Sequence, residues 1–268
     1  MRLVNLMPKR GTRLSLALLP FLLLLLVYLV SSEARLSLNP DDKLLPGFGQ
    51  MADTLHRCAM AEDPRTGEWL FWNDTWASLR RLFFALAVST LTALVLGVAM
   101  GSIPMLSATL SPAMAVISMI PPLAILPVLF IVFGLEEFSK VMLIALGITP
   151  VMVRDLEQRA REIPVEWLIK VQTLGASSWT LILRVVLPQL MPRLLTALRL
   201  VLGSAWLFLI AAEAIASTEG LGYRIFLVRR YMSMDVILPY VAWITALAWF
   251  MDLLLKKLAS RWFPWHEG

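Results

Sequence analysis

The sequence contains very few groups that could form a disulfide bond or a metal site. Cys58 is the only cysteine, which excludes an internal disulfide and any metal site built from several cysteines. The two histidines, His56 and His266, lie far apart in the chain, and we expect both to be solvated. The sequence therefore predicts no metal site, no catalytic residue and no cofactor bound by this chain.

Charged residues are also scarce, and one long segment has none. Only 16% of the residues are charged and 59% are hydrophobic. In soluble domains about 25% of the residues are charged and about half are apolar. Residues 82–135 contain no Asp, Glu, Lys or Arg. As one helix this segment would be about 80 Å long, whereas the hydrocarbon core of a membrane is about 30 Å thick. The chain is therefore predicted to be an integral membrane protein that crosses more than once within this segment.

Six apolar segments predict an all-α membrane protein with six transmembrane helices. They are residues 14–30, 82–100, 113–133, 138–153, 195–214 and 236–255. Gly101 to Pro104 and Ser111-Pro112 are expected to interrupt the uncharged stretch. Pro121 and Pro122 remove helix hydrogen bonds, so they must bend or break the third span.

The distribution of charge predicts which side of the membrane each segment occupies. Basic residues gather on the cytoplasmic side, and this accounts for the net charge of +5 better than nucleic-acid binding does. Residues 31–79 contain eight acids and four bases, and they are predicted to lie outside. The basic residues of 154–195 and of the C-terminal tail are predicted to lie inside, with both termini. Arg80 and Arg81 are exceptions, because they flank the second span on its outer side.

These assignments divide the chain into four parts: a cytoplasmic tail with the first span (1–31), an outer loop (32–79), a five-span core (80–258) with a cytoplasmic loop at about 160–192, and a cytoplasmic tail (259–268). The first apolar segment could instead be a signal peptide. It is longer than the apolar region of a signal peptide, and Ser31 to Ala34 is a weak cleavage signal. An uncleaved span is therefore favoured.

The cytoplasmic loop is predicted to contain two short helices joined at a glycine. Trp167, Leu168, Val171 and Leu174 fall at helical spacing. Gly175 suits the left-handed residue that ends a helix, and Ser177 or Ser178 can cap the next one. Pro188 and Pro192 are expected to bend this second helix before the fifth span. Spacing alone also allows a simple connector at the membrane surface.

This loop resembles the Glu-Ala-Ala loop of ABC importer permeases. Gly175 is followed, after nine residues, by Val185-x-Leu187-Pro188, which matches that family's G-x9-I-x-L-P pattern. Residues 169–171, Ile-Lys-Val, stand where Glu-Ala-Ala would be, so the contacts of the family's glutamate are not carried over. In the family this loop is the coupling helix, which docks in a groove of the cytoplasmic ATPase.

Further motifs resemble the nitrate, taurine and aliphatic-sulfonate group of these permeases, over residues 75–258. They are Ile120 to Ala124, Phe133-Gly134, Ala197 to Arg199, Ala212-Glu213 and Gly220 to Tyr223. Within that group, residues 210–245 look closest to permeases associated with urea carboxylase. The resemblance therefore leaves two solute classes open: nitrate, taurine or sulfonate on one side, and urea- or guanidine-like compounds on the other.

The resemblance implies a type I importer permease of the bacterial inner membrane, which is a transport subunit and not an enzyme. The chain has no G-x-x-x-x-G-K-[ST] phosphate loop, so ATP would be used by a partner. The implied partners are a cytoplasmic ATPase dimer, a periplasmic or lipid-anchored solute-binding protein, and a second permease copy. A homodimer is expected, although a heterodimer stays open. Alternating access would be a rigid-body transition driven through the coupling helix.

Two groups of site residues follow from this resemblance and from the polar groups within spans. The residues that would couple to the ATPase are Leu174, Gly175, Ala176, Ser178, Trp179, Leu187 and Pro188. The candidate pathway residues are Pro121, Pro122, Trp206 and Glu213. Trp179 could instead be an aromatic residue of the membrane interface. Glu213 could instead stabilise the structure, and this role is favoured over direct contact with the solute.

Two other classes of membrane protein compete with this interpretation. A stand-alone secondary transporter or channel would need coupling carboxylates or repeated spans, and the uncharged second and third spans offer no carboxylate. A membrane-embedded enzyme is less favoured still, because no cluster of His, Asp or Cys lies within a span.

Overall fold

The computed structural model describes residues 10–40, 42–60, 62, 67 and 69–266, and the residues it describes form helices and connections without a strand. The first nine residues and the last two, which belong to the predicted cytoplasmic tails, lie outside the described residues. The helices are α1 (Arg10–Leu36), α2 (Phe48–Met60), α3 (Leu70–Ser102), α4 (Pro104–Met119), α5 (Leu126–Phe133), α6 (Glu137–Arg161), α7 (Val165–Thr173), α8 (Ser178–Leu181), α9 (Leu187–Ala216), α10 (Leu221–Arg229) and α11 (Met234–Trp262).

Four helical segments are long and apolar enough to cross a membrane: Gly11–Leu36, Leu70–Ser102, Ser178–Ala216 and Met234–Trp262. A fifth crossing is the bent pair of α4 with the segment Pro122–Phe133, which meet at an angle of 83°. The bend lies at Pro121 and Pro122, as predicted. The remaining expected span is α6, whose charged residues at both ends leave only residues 141–153 without charge.

The long helices α3 and α6 run in the same direction, side by side. Near their first residues, Arg81 of α3 contacts Glu137 of α6. About 30 Å further along, Gly101 of α3 lies against Ala160 of α6. The chain between two parallel helices must return along the bundle, so α4 and α5 together cross it in the opposite direction. We name the two ends of the bundle the Arg81 end and the Gly175 end.

Small residues allow α3 and α6 to approach closely. A Cβ atom added to Gly97 would lie 2.6 Å from Leu156 Cβ, and one added to Gly101 would overlap Ala160 Cβ. Glycines four residues apart are a common device for close helix packing in membranes, where van der Waals contact drives association. The Gly97-x-x-x-Gly101 spacing is a local sequence signal for this close approach.

Replacing Gly101 by alanine is therefore expected to lower the free energy of unfolding by about 1–3 kcal/mol, because the added methyl must separate two packed helices. The measurement is the apparent melting temperature of the purified chain in detergent. Gly203→Ala is the matched control, since a Cβ at Gly203 meets nothing within 4 Å. Equal melting temperatures for the two variants would contradict the close α3–α6 packing.

The helices α9 and α11 complete the core around α3 and α6. Leu209, Ala205 and Leu143 are fully buried there. Near the Arg81 end, Trp243 of α11 donates a hydrogen bond to Thr75 of α3 at 3.1 Å. These contacts place the broad apolar faces of four long helices against one another, and they leave the outward faces apolar as a membrane requires.

The first helix stands apart from this core. None of the most apolar part of α1 is buried within the chain. Among the described residues, side-chain hydrogen bonds join α1 to the following segment near its C-terminal end. There Tyr28 donates to the Pro46 carbonyl at 2.6 Å, and Ser32 donates to the Leu45 carbonyl at 2.9 Å. In the following turn, the backbone N–H of Leu44 and the Arg35 guanidinium hold the pKa of Asp42 below its ordinary value.

Four local expectations need correction. The helix of the second span begins at Leu70, twelve residues before the uncharged run, because its charged residues have partners in the bundle. Pro112 lies inside α4 and does not interrupt it. The second helix of the loop is not separate, because α8, a π-helical turn at Ile182–Val186 and α9 form one continuous run. The expected loop 217–235 contains α10.

The π-helical turn gives a physical reason for that continuity. Pro188 lacks a backbone N–H, but it occupies the second position of α9. A wider turn before a proline reorganises the hydrogen bonds so that the helix continues. Pro192 also stays within α9. Helix-breaking residues therefore shape this segment without ending it.

Candidate functional site

The turn between α7 and α8 has the geometry that the sequence predicts. Gly175 has a φ of +83°, in the left-handed region. Its N–H donates to the Gln172 carbonyl at 2.9 Å, and the Ala176 N–H donates to the Val171 carbonyl at 3.3 Å. This pair of bonds is the Schellman ending of a helix. Ser177 then caps α8 by accepting a bond from the Thr180 N–H at 3.2 Å, so the turn is fixed from both sides.

Apolar side chains project from this turn into the surroundings of the single chain. Trp179 is 72% exposed and Leu174 is 80% exposed. Gly175 and Ser178 are exposed and Ala176 is half-buried, whereas Leu187 and Pro188 lie in the first turn of α9. A rigid turn with two large exposed apolar side chains is suited to a protein partner. The first five predicted coupling residues thus lie together at the turn, whereas Leu187 and Pro188 lie further along the chain, at the start of α9.

Arg81 is the centre of a buried charge cluster at the opposite end of the bundle. Its side chain is 1% exposed. It donates two hydrogen bonds to the Glu137 carboxylate at 2.5 and 2.8 Å and one to Glu213 at 2.8 Å. It also donates to the Glu219 side chain at 3.2 Å and to the Glu219 carbonyl at 2.9 Å. These bonds hold α3, α6, α9 and the turn after α9 together, because a buried charge is stable only when paired.

Hydrogen bonds to side chains of α3, next to the Arg81 cluster, fix the turn before α10. The Gly220 N–H donates to Asp74 at 2.8 Å, and the Leu221 N–H donates to Ser78 at 2.8 Å. Arg224 of α10 donates to the other oxygen of Asp74 at 2.7 Å. The Gly220 to Tyr223 motif is therefore a turn whose backbone N–H groups are held by buried side chains.

The predicted pathway residues are not brought together. Glu213 is fully buried, and its carboxylate is bonded by Arg81, by Ser78 at 2.8 and 2.9 Å and by the Gly222 N–H at 2.9 Å. These contacts are the ones expected if Glu213 stabilises the structure and does not contact the solute. Trp206 lies two turns away on α9 and is 4% exposed. Pro121 and Pro122 form the bend after α4. A pathway role for these residues stays a prediction.

The sequence analysis missed most of the partners in the buried cluster. Arg81 was noted only as an exception to the charge rule, and the cluster accounts for its position, since three acidic residues surround it. Arg199 of α9 forms a two-bond ion pair with Asp252 of α11 at 2.7 and 3.0 Å. The sequence signal for these pairs was the position of Arg81 and Arg199 within or beside apolar spans, where charged residues usually pair with one another.

A polar cleft lies between α4 and α6 towards the Gly175 end, with a volume of about 620 Å³. Its α4 wall presents Ser111, Ala115 and Ser118, spaced along one helix face. Its α6 wall presents two arginines, two carboxylates, an amide and a valine: Arg154, Arg161, Asp155, Glu157, Gln158 and Val151. The larger cleft beside Trp76 and Phe84 is almost wholly apolar by comparison.

The part of the chain that the structure describes contains no group of three or more His, Cys, Asp or Glu side chains placed to hold a metal ion. The chemistry of the region is that of ion pairs and hydrogen bonds between helices.

Comparison with known proteins identifies the class to which this architecture belongs. A family described as "Binding-protein-dependent transport system inner membrane component" matches residues 59–263. The chain belongs to this family, and it is therefore the permease component of a binding-protein-dependent ABC importer. It is a transport subunit rather than an enzyme.

Several curated relatives are similar over most of the chain. The taurine transport system permease protein of Escherichia coli strain K12 is 36% identical over 195 residues, which cover 73% of this chain and 71% of that protein. The bicarbonate transport system permease protein of Synechococcus elongatus is 30% identical, covering 72% and 69%. A putative aliphatic sulfonates transport permease protein of Escherichia coli is 28% identical, covering 56% and 57%. The chain thus resembles the nitrate, taurine and sulfonate type of permease, as predicted.

A solved structure shows the same fold. An inward-facing structure of the MetNI methionine ABC transporter aligns with a TM-score of 0.64 at 19% identity, covering 72% of this chain and 96% of that one. The multi-pass type I permease fold is therefore confirmed.

Proposed function

We propose that this chain forms the membrane passage of an importer in a bacterial inner membrane and is driven by a separate cytoplasmic ATPase through the Gly175 turn. The observation that carries the proposal is the rigid turn itself, with Leu174 and Trp179 exposed on it.

The charge pattern supports an orientation with the Gly175 end in the cytoplasm. Residues 154–199 contain seven Arg and Lys against four Asp and Glu, and Lys256, Lys257 and Arg261 lie at the end of α11. Basic residues favour the cytoplasmic side of a membrane. The Arg81 end, with the turn before α10, then faces the binding protein outside, and both termini lie inside.

The continuous helical run from Ser178 to Ala216 supports the coupling mechanism. It begins beside the Gly175 turn and ends beside Glu213, which is bonded to the buried cluster at the Arg81 end. At about 1.5 Å per residue this run is about 58 Å long. A displacement of the turn would move the helix as a unit, and the charge cluster would carry that movement to α3 and α6. This is the type of rigid-body change that alternating access needs.

The solute is proposed to be small and to carry an anionic group. Three relatives are named for transport of taurine, aliphatic sulfonates and bicarbonate. Each of these has an acidic head group, which favours the sulfonate-like class over urea- or guanidine-like solutes. We further propose that two copies of this chain enclose the passage, and that two ATPases and one solute-binding protein complete the transporter.

Affinity purification from detergent-solubilised membranes tests the coupling surface. Wild-type protein is expected to retain an ATPase, whereas Gly175→Arg is expected to reduce its recovery by about tenfold or more, as loss of one interface hot spot does. The measurement is the ratio of ATPase to permease in the eluate, determined by mass spectrometry. Size-exclusion chromatography confirms that each variant is folded.

Gly134→Arg is the matched control, since Gly134 also has a positive φ, of +77°, and lies before α6 at the opposite end of the bundle. It also places an arginine at a position with positive φ, but away from the turn. ATPase recovery equal to wild type is expected for this control. If neither wild type nor variants retain an ATPase, the proposed coupling to an ATPase through the Gly175 turn is wrong.

A further inference from the structure

Among the described residues, one cation of the cleft between α4 and α6 has no carboxylate partner, whereas the other charged groups of the cleft have a partner of opposite sign. Glu157 accepts hydrogen bonds from Ser107 at 2.6 Å and from Ser111 and Arg161 at 2.5 Å each. Asp155 lies 3.6 Å from Arg159. Within the part of the chain that the structure describes, no carboxylate lies within 4.0 Å of the Arg154 guanidinium.

Arg154 is bonded instead to a neutral hydroxyl across the cleft. Its Nη1 donates to the Ser118 Oγ at 2.8 Å, and Ser118 in turn donates to the Ala115 carbonyl. A guanidinium has five N–H donors in a planar fork that matches an oxyanion. The bond to Ser118 uses one of them and holds the guanidinium against the cleft wall. The remaining donors are available to a ligand with several acceptor oxygens.

The position of the cleft fits a solute in transit. Ser118 precedes the bend at Pro121, and irregular backbone at membrane depth is found where it lines a cavity or is buried in protein. Arg154 lies at the end of the uncharged stretch of α6, towards the Gly175 end. The C-terminal end of α4 is adjacent, and its partial negative charge weakens the hold on an anion. A weak site is what transport requires, because the solute must also leave.

We propose that this cleft holds the anionic head group of the transported solute, with Arg154 as its charge partner and Ser118 as the residue that positions the guanidinium. The inference rests on the proposed function, since it concerns the solute of that transporter. The ligand class is a small solute with a sulfonate or carboxylate group. The phosphate of an anionic lipid has similar chemistry, and the experiment below distinguishes a lipid from a solute.

Protection of a single cysteine tests the site directly on the purified full chain. Cys58→Ser removes the only native thiol, and Ala115→Cys places a reporter on the cleft wall. The protein is incorporated in nanodiscs of phosphatidylcholine, and the rate of labelling by N-ethylmaleimide is measured with increasing ethanesulfonate. Ethanesulfonate is expected to slow labelling in a saturable way, and urea at equal concentration is not. Val151→Cys provides a second reporter from the α6 wall.

Arg154→Gln is expected to raise the ethanesulfonate concentration for half protection by roughly tenfold, which is the effect of losing one charge-assisted hydrogen bond. Arg154→Lys should retain part of the protection, because it keeps the charge without the fork. Arg261→Gln, which removes an exposed charge from the end of α11, is the control and should leave protection unchanged.

The inference is overturned if ethanesulfonate protects neither reporter, or if Arg154→Gln is protected as well as wild type. Protection that appears only when phosphatidylglycerol is added to the nanodiscs would identify a lipid site and would also overturn it. The assay needs no ATPase, so its outcome is independent of the purification experiment. Protection without ATPase capture would support this site while rejecting the proposed coupling through the Gly175 turn.

Discussion

Replacing Arg81 by alanine is expected to lower the free energy of unfolding by about 3–5 kcal/mol, which is the cost of breaking a buried ion pair by removing one partner. Glu213 would keep its hydrogen bonds from Ser78 and the Gly222 N–H, but its fully buried carboxylate would lose its cation. At about 2–4 °C per kcal/mol for a chain of this size, the apparent melting temperature in detergent should fall by roughly 10 °C. The yield of monodisperse protein should fall with it.

Arg80→Ala is the matched control, because Arg80 is the neighbouring residue and approaches two of the same acids. Its side chain is 56% exposed, and its ion pairs with Glu137 and Glu219 are longer, at 3.7 and 3.9 Å. Exposed pairs of this kind contribute about 0–1 kcal/mol. Similar losses for the two variants would mean that the cluster does not stabilise the fold.

A double variant identifies the source of the Arg81 effect. In Arg81→Ala with Glu213→Gln, the buried side chain is neutral and needs no counter-ion. If the penalty arises from an uncompensated charge, the double variant should be more stable than Arg81→Ala alone. Additive losses would instead indicate that the two residues act independently.

Replacing Gly220 by alanine is expected to lower the free energy of unfolding by about 3 kcal/mol, of which about 1–3 kcal/mol is backbone strain. Gly220 has a φ of +121° and a ψ of 160°, a conformation found almost only in glycine. A Cβ there would also lie 2.6 Å from the Glu213 carboxyl carbon. The added methyl must therefore displace the carboxylate that pairs with Arg81.

Gly134→Ala separates these two causes, and the measurement is again the apparent melting temperature in detergent. Gly134 also has a positive φ, but a Cβ there would have its nearest neighbour at 4.0 Å, so this variant carries strain without a clash. Gly220→Ala should be the less stable of the two. If both lose the same stability, the contact with Glu213 contributes nothing. The Gly220 effect should also shrink in a Glu213→Ala background, where the clashing carboxylate is absent.

Much of the fold could be predicted from local patterns in the sequence. The break at Pro121 and Pro122 and the helix ending at Gly175 both follow from backbone chemistry within a few residues. The predicted fourth span, residues 138–153, lies within α6. Family resemblance then supplied the architecture, which the permease family match confirms.

Predictions failed where a residue's role depends on a distant partner. Asp74 and Arg81 were placed outside the second span because charged residues usually end an apolar helix. The structure pairs Arg81 with residues 56 and 132 positions away. Arg199 likewise finds Asp252 at a separation of 53 residues. Hydropathy averages over a short window, so it cannot include a compensating charge from another helix.

The sequence by itself determined that this chain enters a membrane, where its helices bend, and where the turn with the permease motif lies. Those properties depend on the hydrophobicity of short segments and on the dihedral preferences of glycine and proline. Only the tertiary structure decided that Arg81 joins three helices, that α8 continues into α9, and that Arg154 lacks a carboxylate partner within the described chain. These properties depend on which side chains the packing brings within hydrogen-bond distance, and a buried charge is stable only where such a partner is present.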